Sequence, residues 1–371
     1  MKKVDWHYPR TEFAEKVFTM LVDGPIHAAR LFGPRRMGKT EFLLRDLAEL
    51  AESKGHRVVY ASLWQYLGSP LAILLYEFDQ ALRERRIKDR LRSVKASAKF
   101  EINIPGLGKL VIDLGSKEPP SPEQLLGLDL LCGKLENSRK PTFLLLDEVQ
   151  ELAKSNGSKE LIAALRTSLD KRKGGLVTVF TGSSQAGLRA MFSNREAPLF
   201  RFAEPLELPD LDFEFVKYQL HAFKTVSKGN ITDREAKDAF ESCEKNPLFF
   251  QKWLMKQVLY PSVKPEEAFV MLQDELAEEF GFRTIWLNLR PIQRAIARLI
   301  ADSLGNIYTD IGINKVAKMT GTKPPTTSQI QSAIKRLARQ GVIDREKSRA
   351  PWMISDPLLA SWIRSRPDSE F

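Results

Sequence analysis

Two short segments of this chain have the residue types and spacing for phosphate chemistry. Gly33-Pro34-Arg35-Arg36-Met37-Gly38-Lys39-Thr40 reads G-x-x-x-x-G-K-[ST], after an apolar run and ahead of an amphipathic one. A loop that cradles phosphates needs that context: strand, glycine-rich turn, helix. Gly33 and Gly38 let the backbone wrap tightly, so that successive N–H groups and the start of the helix face an anion. Lys39 supplies positive charge for β- and γ-phosphate oxygens, and the Thr40 hydroxyl is a ligand for Mg2+. Pro34, Arg35, Arg36, Met37 and Glu41 complete the segment assigned to nucleotide. The second segment is Phe143-Leu144-Leu145-Leu146-Asp147-Glu148, an apolar run ending in two carboxylates. Four apolar residues in a row fit a strand buried on both faces, whose C-terminal edge is where ligands sit. Asp147 is expected in the magnesium shell and Glu148 as the general base that takes a proton from the attacking water. Hydrolysis of Mg-ATP is the chemistry these residues imply, with ATP and Mg2+ as the expected cofactors.

Further candidates follow along the chain. Thr181-Gly182-Ser183-Ser184 puts hydroxyls after the next apolar strand, where a γ-phosphate sensor belongs, with Ser183 assigned to nucleotide. Arg195 and Arg201 flank Ala197-Pro198-Leu199-Phe200, and Arg201 is expected as an arginine finger acting on a neighbouring subunit.

These residues need a scaffold, and the apolar pattern supplies one. Strands are expected at Ile26 to Phe32, Val58 to Ser62, Thr142 to Leu146, Leu176 to Thr181 and Pro205 to Leu208. Helices are expected at Thr40 to Lys54, Pro70 to Ile87, Pro122 to Asn137 and Lys159 to Arg172. Strand and helix in alternation build a parallel sheet covered on both faces. A whole strand-helix unit separates the glycine-rich loop from Asp147, which favours the additional-strand arrangement. Within this first part, 1–209, an alternating pattern around Pro105-Gly106-Leu107-Gly108 marks an inserted β-hairpin at about 98–115. From 210 to 282 the strands stop. Phe213, Val216 and Leu220 share a helix face, Thr232-Asp233-Arg234-Glu235 is a capping box, and Asn246-Pro247 opens another helix.

The segment 283–371 carries fifteen Lys/Arg against seven Asp/Glu, most of the chain's net +10. It reads as three helices followed by two strands, a winged helix-turn-helix. The third helix, Gln329 to Gln340, buries Ile330, Ala333, Ile334 and Leu337. Its other side and approach, Thr327, Ser328, Gln331, Lys335, Arg336 and Arg339, suit the major groove of duplex DNA. The wing tip, with Lys347 and Arg349, suits the phosphate backbone. A second basic run, Arg83 to Lys99, has eight positive side chains against Glu84 and Asp89.

At 371 residues, 43% hydrophobic and 28% charged, the chain is long enough for two or three domains, and disordered, collagen-like and coiled-coil classes are excluded. No apolar run approaches the roughly 18 residues of a membrane helix. Met1-Lys2-Lys3-Val4-Asp5-Trp6 lacks a signal peptide's apolar stretch, Cys132 and Cys243 make no disulfide framework, and His7, His27, His56 and His221 show no metal-ligand spacing. A cytoplasmic protein with no membrane contact is expected.

Together these motifs resemble the prokaryotic P-loop ATPases with a C-terminal winged helix, an archaeal-type family near the STAND and AAA+ groups. The resemblance covers nearly the whole chain. It implies an α/β fold: an AAA+-like P-loop sheet domain, a helical lid over 210–282 and the winged helix. Tyr8-Pro9-Arg10-Thr11-Glu12 is similar to the family's entry box, which places Arg10 by the adenine. Lys245-Asn246-Pro247-Leu248-Phe249-Phe250-Gln251 is similar to its lid segment, where the family's histidine is absent here and Pro247 matches. Asp356-Pro357-Leu358-Leu359-Ala360-Ser361-Trp362 resembles its closing segment. Three roles stay open on this reading: a nucleotide switch acting on DNA, a STAND-like signalling switch of slow turnover, and a DNA loader or transposition-type regulator. A homo-oligomer or a separate sensor protein is the expected protein partner.

Overall fold

The computed structural model describes residues 4–32, 36–65, 69–83, 99–104, 106–113, 115–116, 118–155, 157–182, 191–192, 195–227, 229–304, 306–345, 350–367 and 370–371. Gly33, Pro34, Arg35, Ser183, Lys347 and Arg349 lie outside the described residues, as does most of the basic run after Arg83. The chain forms two compact units. One comprises Pro9–Gly33 and Gly38–Pro209, the other Met1–Tyr8, Pro34–Met37 and Asp210–Phe371.

The first unit is α/β. Its strands are β1 (Ala28–Phe32), β2 (Val58–Ser62), β3 (Lys99–Ile104), β4 (Gly108–Asp113), β5 (Thr142–Asp147), β6 (Leu176–Gly182) and β7 (Glu204–Leu206). Five make one parallel sheet in the order β2-β5-β6-β1-β7. An additional strand, β6, therefore stands between β1, which feeds the glycine-rich loop, and β5, which carries Asp147. All residues of β5 and β6 are buried, as central parallel strands require. Burying each of Leu144, Leu145 and Leu146 contributes roughly 1.5–3 kcal/mol, which fixes the strand that ends in the two carboxylates. One face packs on the helices Thr11–Val22 and Ala48–Ser53, the other on Pro70–Arg83, Pro122–Leu135 and Ser158–Asp170.

The expected hairpin is the antiparallel pair β3–β4. Its Ile102, Ile104 and Ile112 are buried while the alternate residues face out. It lies so close to the helix Pro122–Leu135 that a β-carbon on Gly127 would come 3.1 Å from Ile104 Cδ1 and 3.3 Å from Leu110 Cδ2. Glycine is what allows that approach.

The second unit is helical except for the short pair β8 (Ile343–Asp344) and β9 (Met353–Ile354). The expected capping box forms, with Thr232 and Glu235 opening Asp233–Ser242, and so does the expected N-cap, Asn246, which accepts from Leu248 N at 3.1 Å to open Pro247–Leu259. Two further helices, Pro265–Glu279 and Phe282–Leu287, lie between these and the helices Pro291–Ala301, Asp310–Thr320 and Thr327–Arg339. One continuous core joins Phe249, Trp253, Leu272 and Leu276 with Trp286, Ile296, Leu337, Leu358 and Trp362. The amino-terminal segment belongs to this unit. The Trp6 carbonyl accepts from Gln219 Nε2 at 2.8 Å and Gln251 Nε2 at 3.1 Å, and Tyr8 meets Phe215 and Tyr218 edge-on. Among the described residues no helix is long and apolar enough to cross a membrane. Cys132 and Cys243 are both buried and free.

Candidate active site

Gly38 has a left-handed backbone, φ +87°, which a side chain would strain. It releases the chain directly into Lys39–Glu41, whose helix continues through π-helical turns over Phe42–Leu47 to Ala48–Ser53. The wider turns hold Asp46 in a buried position, where its Oδ1 accepts from Arg10 N at 3.3 Å. The Arg10 guanidinium crosses the loop: a β-carbon on Gly38 would stand 3.1 Å from Nη1. Arg10, Gly38, Lys39 and Thr40 are thus neighbours, and Lys39 is only 7% exposed.

Asp147 is the centre of the site. It ends β5 at 3% exposure, and its carboxylate collects hydroxyls from three other elements. Thr40 Oγ1 donates to Oδ2 at 2.8 Å, Tyr60 Oη donates to the same oxygen at 3.1 Å, and Thr181 Oγ1 donates to Oδ1. The Glu148 amide also donates to Oδ1, at 3.0 Å. Register explains the convergence, since Ser62 pairs with Asp147 across β2–β5 and Leu146 pairs with Phe180 across β5–β6. Burial, and then the Asp147 charge, push the Tyr60 phenol above its ordinary range, so it stays protonated and donates.

Glu148 follows in a left-handed conformation, φ 57° and ψ 44°. A non-glycine residue there stores roughly 1–3 kcal/mol of backbone strain, and such strain collects at functional sites. The Gln150 side-chain amide donates to Glu148 Oε2 from a position that is almost fully buried. Beside it, Glu151 accepts from Trp64 Nε1 at 3.2 Å and Lys154 Nζ at 2.7 Å.

The remaining sequence candidates make contacts of their own. Glu41 is exposed, 4.0 Å from Arg45. Arg36, also left-handed at φ 67°, belongs to the second unit. Its guanidinium pairs with Asp356 Oδ2 at 2.9 Å and lies 3.5 Å from the centre of the Phe280 ring. Met37 Sδ is 3.9 Å from Asn246 Nδ2, and Pro247 is the first residue of its helix. Arg201 sits on the loop before β7, exposed and left-handed at φ 54°, with its guanidinium 5.3 Å from the Phe200 ring. Arg166 steadies that loop by donating to the Pro198 and Phe200 carbonyls. On the helix Thr327–Arg339, Thr327, Ser328, Gln331, Lys335, Arg336 and Arg339 are all exposed, and Ile330, Ala333, Ile334 and Leu337 are buried.

Sequence reasoning missed Tyr60 and Gln150; of the sensor segment Thr181-Gly182-Ser183-Ser184, Thr181 is the residue on Asp147, and Ser183 lies outside the described residues. The signal for Thr181 was present: it is the last hydroxyl inside the buried strand.

The site's oxygens fit a magnesium ion carried by phosphate. Thr40 Oγ1 and the Asp147 carboxylate are hard donors held within hydrogen-bonding distance of each other, beside a buried lysine. Among the described residues there is no cluster of three or more His, Cys, Asp or Glu that could hold a metal ion.

The family model of an ATPase domain predominantly from Archaea matches residues 10–247. Comparison with curated proteins finds no match. The fold is similar to that of the Walker-type ATPase of Pyrococcus abyssi, 17% identical, with a TM-score of 0.65 over 98% of this chain and 96% of that one. It is also similar to the ORC2 protein of Aeropyrum pernix in its ADP form, 15% identical, with a TM-score of 0.55 over 96% and 93% of the two chains. At these identities the likeness is one of fold.

Proposed function

This chain belongs to the family of ATPase domains found predominantly in Archaea, and from that premise we propose a Mg-ATP hydrolase that passes its nucleotide state to a DNA-contacting winged helix. The observation that carries the reading is the set of hydroxyls from Thr40, Tyr60 and Thr181 gathered on the buried Asp147. Lys39 holds the β- and γ-phosphate oxygens, with Gly38 shaping the backbone around them, and the same reading assigns Gly33, Pro34 and Arg35 to the nucleotide. Arg10 borders the nucleotide, and the same reading assigns Glu41 and Ser183 to it. Thr40 and Asp147 would hold Mg2+ or its waters, and the ion supplies charge neutralisation on the phosphates. Glu148 accepts the proton of the attacking water. The nucleotide complexes of the Aeropyrum ORC2 protein, with ADP and with ADPNP, support the cofactor.

Arg201 acts on a neighbouring copy. Its exposure on a steadied loop supports that geometry, because a finger must leave its own subunit. Arg201→Ala and Lys39→Ala proteins, each inactive alone, should recover part of the turnover when mixed. A monomer whose specific activity is independent of concentration would remove the finger.

The exposed, basic face of Thr327–Arg339 supports duplex DNA as partner. Each phosphate contact removed should flatten the salt dependence of binding by about one unit of slope. Lys335→Glu with Arg339→Glu should therefore weaken duplex binding at every sequence and leave ATP affinity unchanged. A slow-turnover signalling switch is the second reading, favoured by the Arg36–Asp356 pair, which engages the winged-helix segment within the protein. Turnover measured with and without duplex DNA separates the two. If no nucleotide state binds duplex DNA in a salt-sensitive way, the second reading stands.

A further inference from the structure

We propose that Gln150 is a positioning residue for hydrolysis, its side-chain amide holding the Glu148 carboxylate in the orientation that receives the water's proton. The proposal rests on Glu148 being the base. Three observations converge on that one carboxylate. Gln150 is 1% exposed, yet it is polar, and its Nε2 donates to Glu148 Oε2. Its Oε1 is buried without a hydrogen-bond partner among the described residues. Glu148 itself is held in a left-handed backbone conformation.

Burying an amide with half of its hydrogen-bonding capacity unmet is unfavourable, and an apolar side chain of the same length would avoid the penalty. Packing alone therefore does not explain glutamine at this position. The donated N–H does. A general base has to lie within about 2.6–3.2 Å of the water oxygen whose proton it removes, and a glutamate side chain has three torsions with which to miss. The left-handed turn aims Cα–Cβ, the Glu148 amide is tied to Asp147 Oδ1 at 3.0 Å, and Gln150 fixes one carboxylate oxygen. Holding one oxygen sets the direction in which the other faces. The short helix Val149–Lys154 makes this possible: it turns back at once, so a residue two positions on reaches the carboxylate. A glutamine in this role donates without being able to compete as a base.

The test uses the full chain and five proteins: the parent, Gln150→Met, Gln150→Leu, Glu148→Gln and the double variant of Gln150→Met with Glu148→Gln. Methionine keeps the length and removes the amide; Gln150→Leu is made in parallel as a second apolar replacement. Either replacement should lower kcat about tenfold, with the KM for ATP and the affinity for a non-hydrolysable ATP analogue within twofold of the parent. Adding Gln150→Met to Glu148→Gln should lower the residual rate no further, because a residue that acts through the carboxylate has nothing left to position. Parent-like kcat in Gln150→Met or Gln150→Leu overturns the proposal. So does a further tenfold loss in the double variant, which would make Gln150 an independent structural element. Parent-like turnover in Glu148→Gln is a separate result: it removes Glu148 as the base and the positioning role with it.

Discussion

Lys39→Ala is expected to abolish detectable ATP binding while the fold persists. The ammonium group is buried, one residue after the left-handed Gly38, at the start of the helix that leaves the loop. Each charge-assisted hydrogen bond to a phosphate oxygen contributes roughly 1.5–3 kcal/mol, so losing two raises Kd by about two to four orders of magnitude. Alanine is the best helix former, and the helix keeps its packing through Phe42, Leu43 and Leu47. Titration calorimetry with an ATP analogue, alongside circular dichroism, reads both halves of the expectation. Parent-like affinity would mean that the glycine-rich loop does not hold the phosphates.

Glu148→Gln should bind ATP as the parent does and hydrolyse it about 10² to 10⁴ times more slowly, the range lost when a positioned base is removed. The substitution keeps the size and shape of the side chain and its place after Asp147. The Thr40–Asp147 arrangement is left intact, so magnesium and phosphate affinity should not move. Single-turnover hydrolysis measured with equilibrium binding separates the two quantities. A rate equal to the parent's would place the base elsewhere.

How much of this was readable in advance depends on how local each signal is. The loop around Lys39 and the run ending at Asp147 were legible because strand burial and loop chemistry are written in consecutive residues. The face of Thr327–Arg339 was legible for the same reason: Ile330, Ala333, Ile334 and Leu337 repeat at helical spacing. The helix Pro265–Glu279 had comparable signals, a proline at its first position and Ala268, Leu272 and Leu276 at four-residue steps. Tyr60 is different. Nothing within Val58–Ser62 distinguishes a strand tyrosine that reaches a carboxylate from one that packs, because its partner is supplied by strand order. The π-helical turns over Phe42–Leu47 were hidden, since a widened helix and an ordinary one bury similar residues. Arg36 lies at the far limit: its partner Asp356 is 320 positions away, and no periodicity connects them.

The core that runs from Leu211 to Ile363 also bears on ancestry. Winged helices are often imagined as cassettes, gained and lost by joining genes at a linker. Here the seam at 282/283 falls between Phe282, with its ring 6.2 Å from that of Trp362, and a chain that continues into Trp286, itself 6.0 Å from the same ring. A recombination event at that point would part Phe282 from Trp362, the ring it packs against. A transfer of this region between chains would keep its core only if 210–371 moved as one piece.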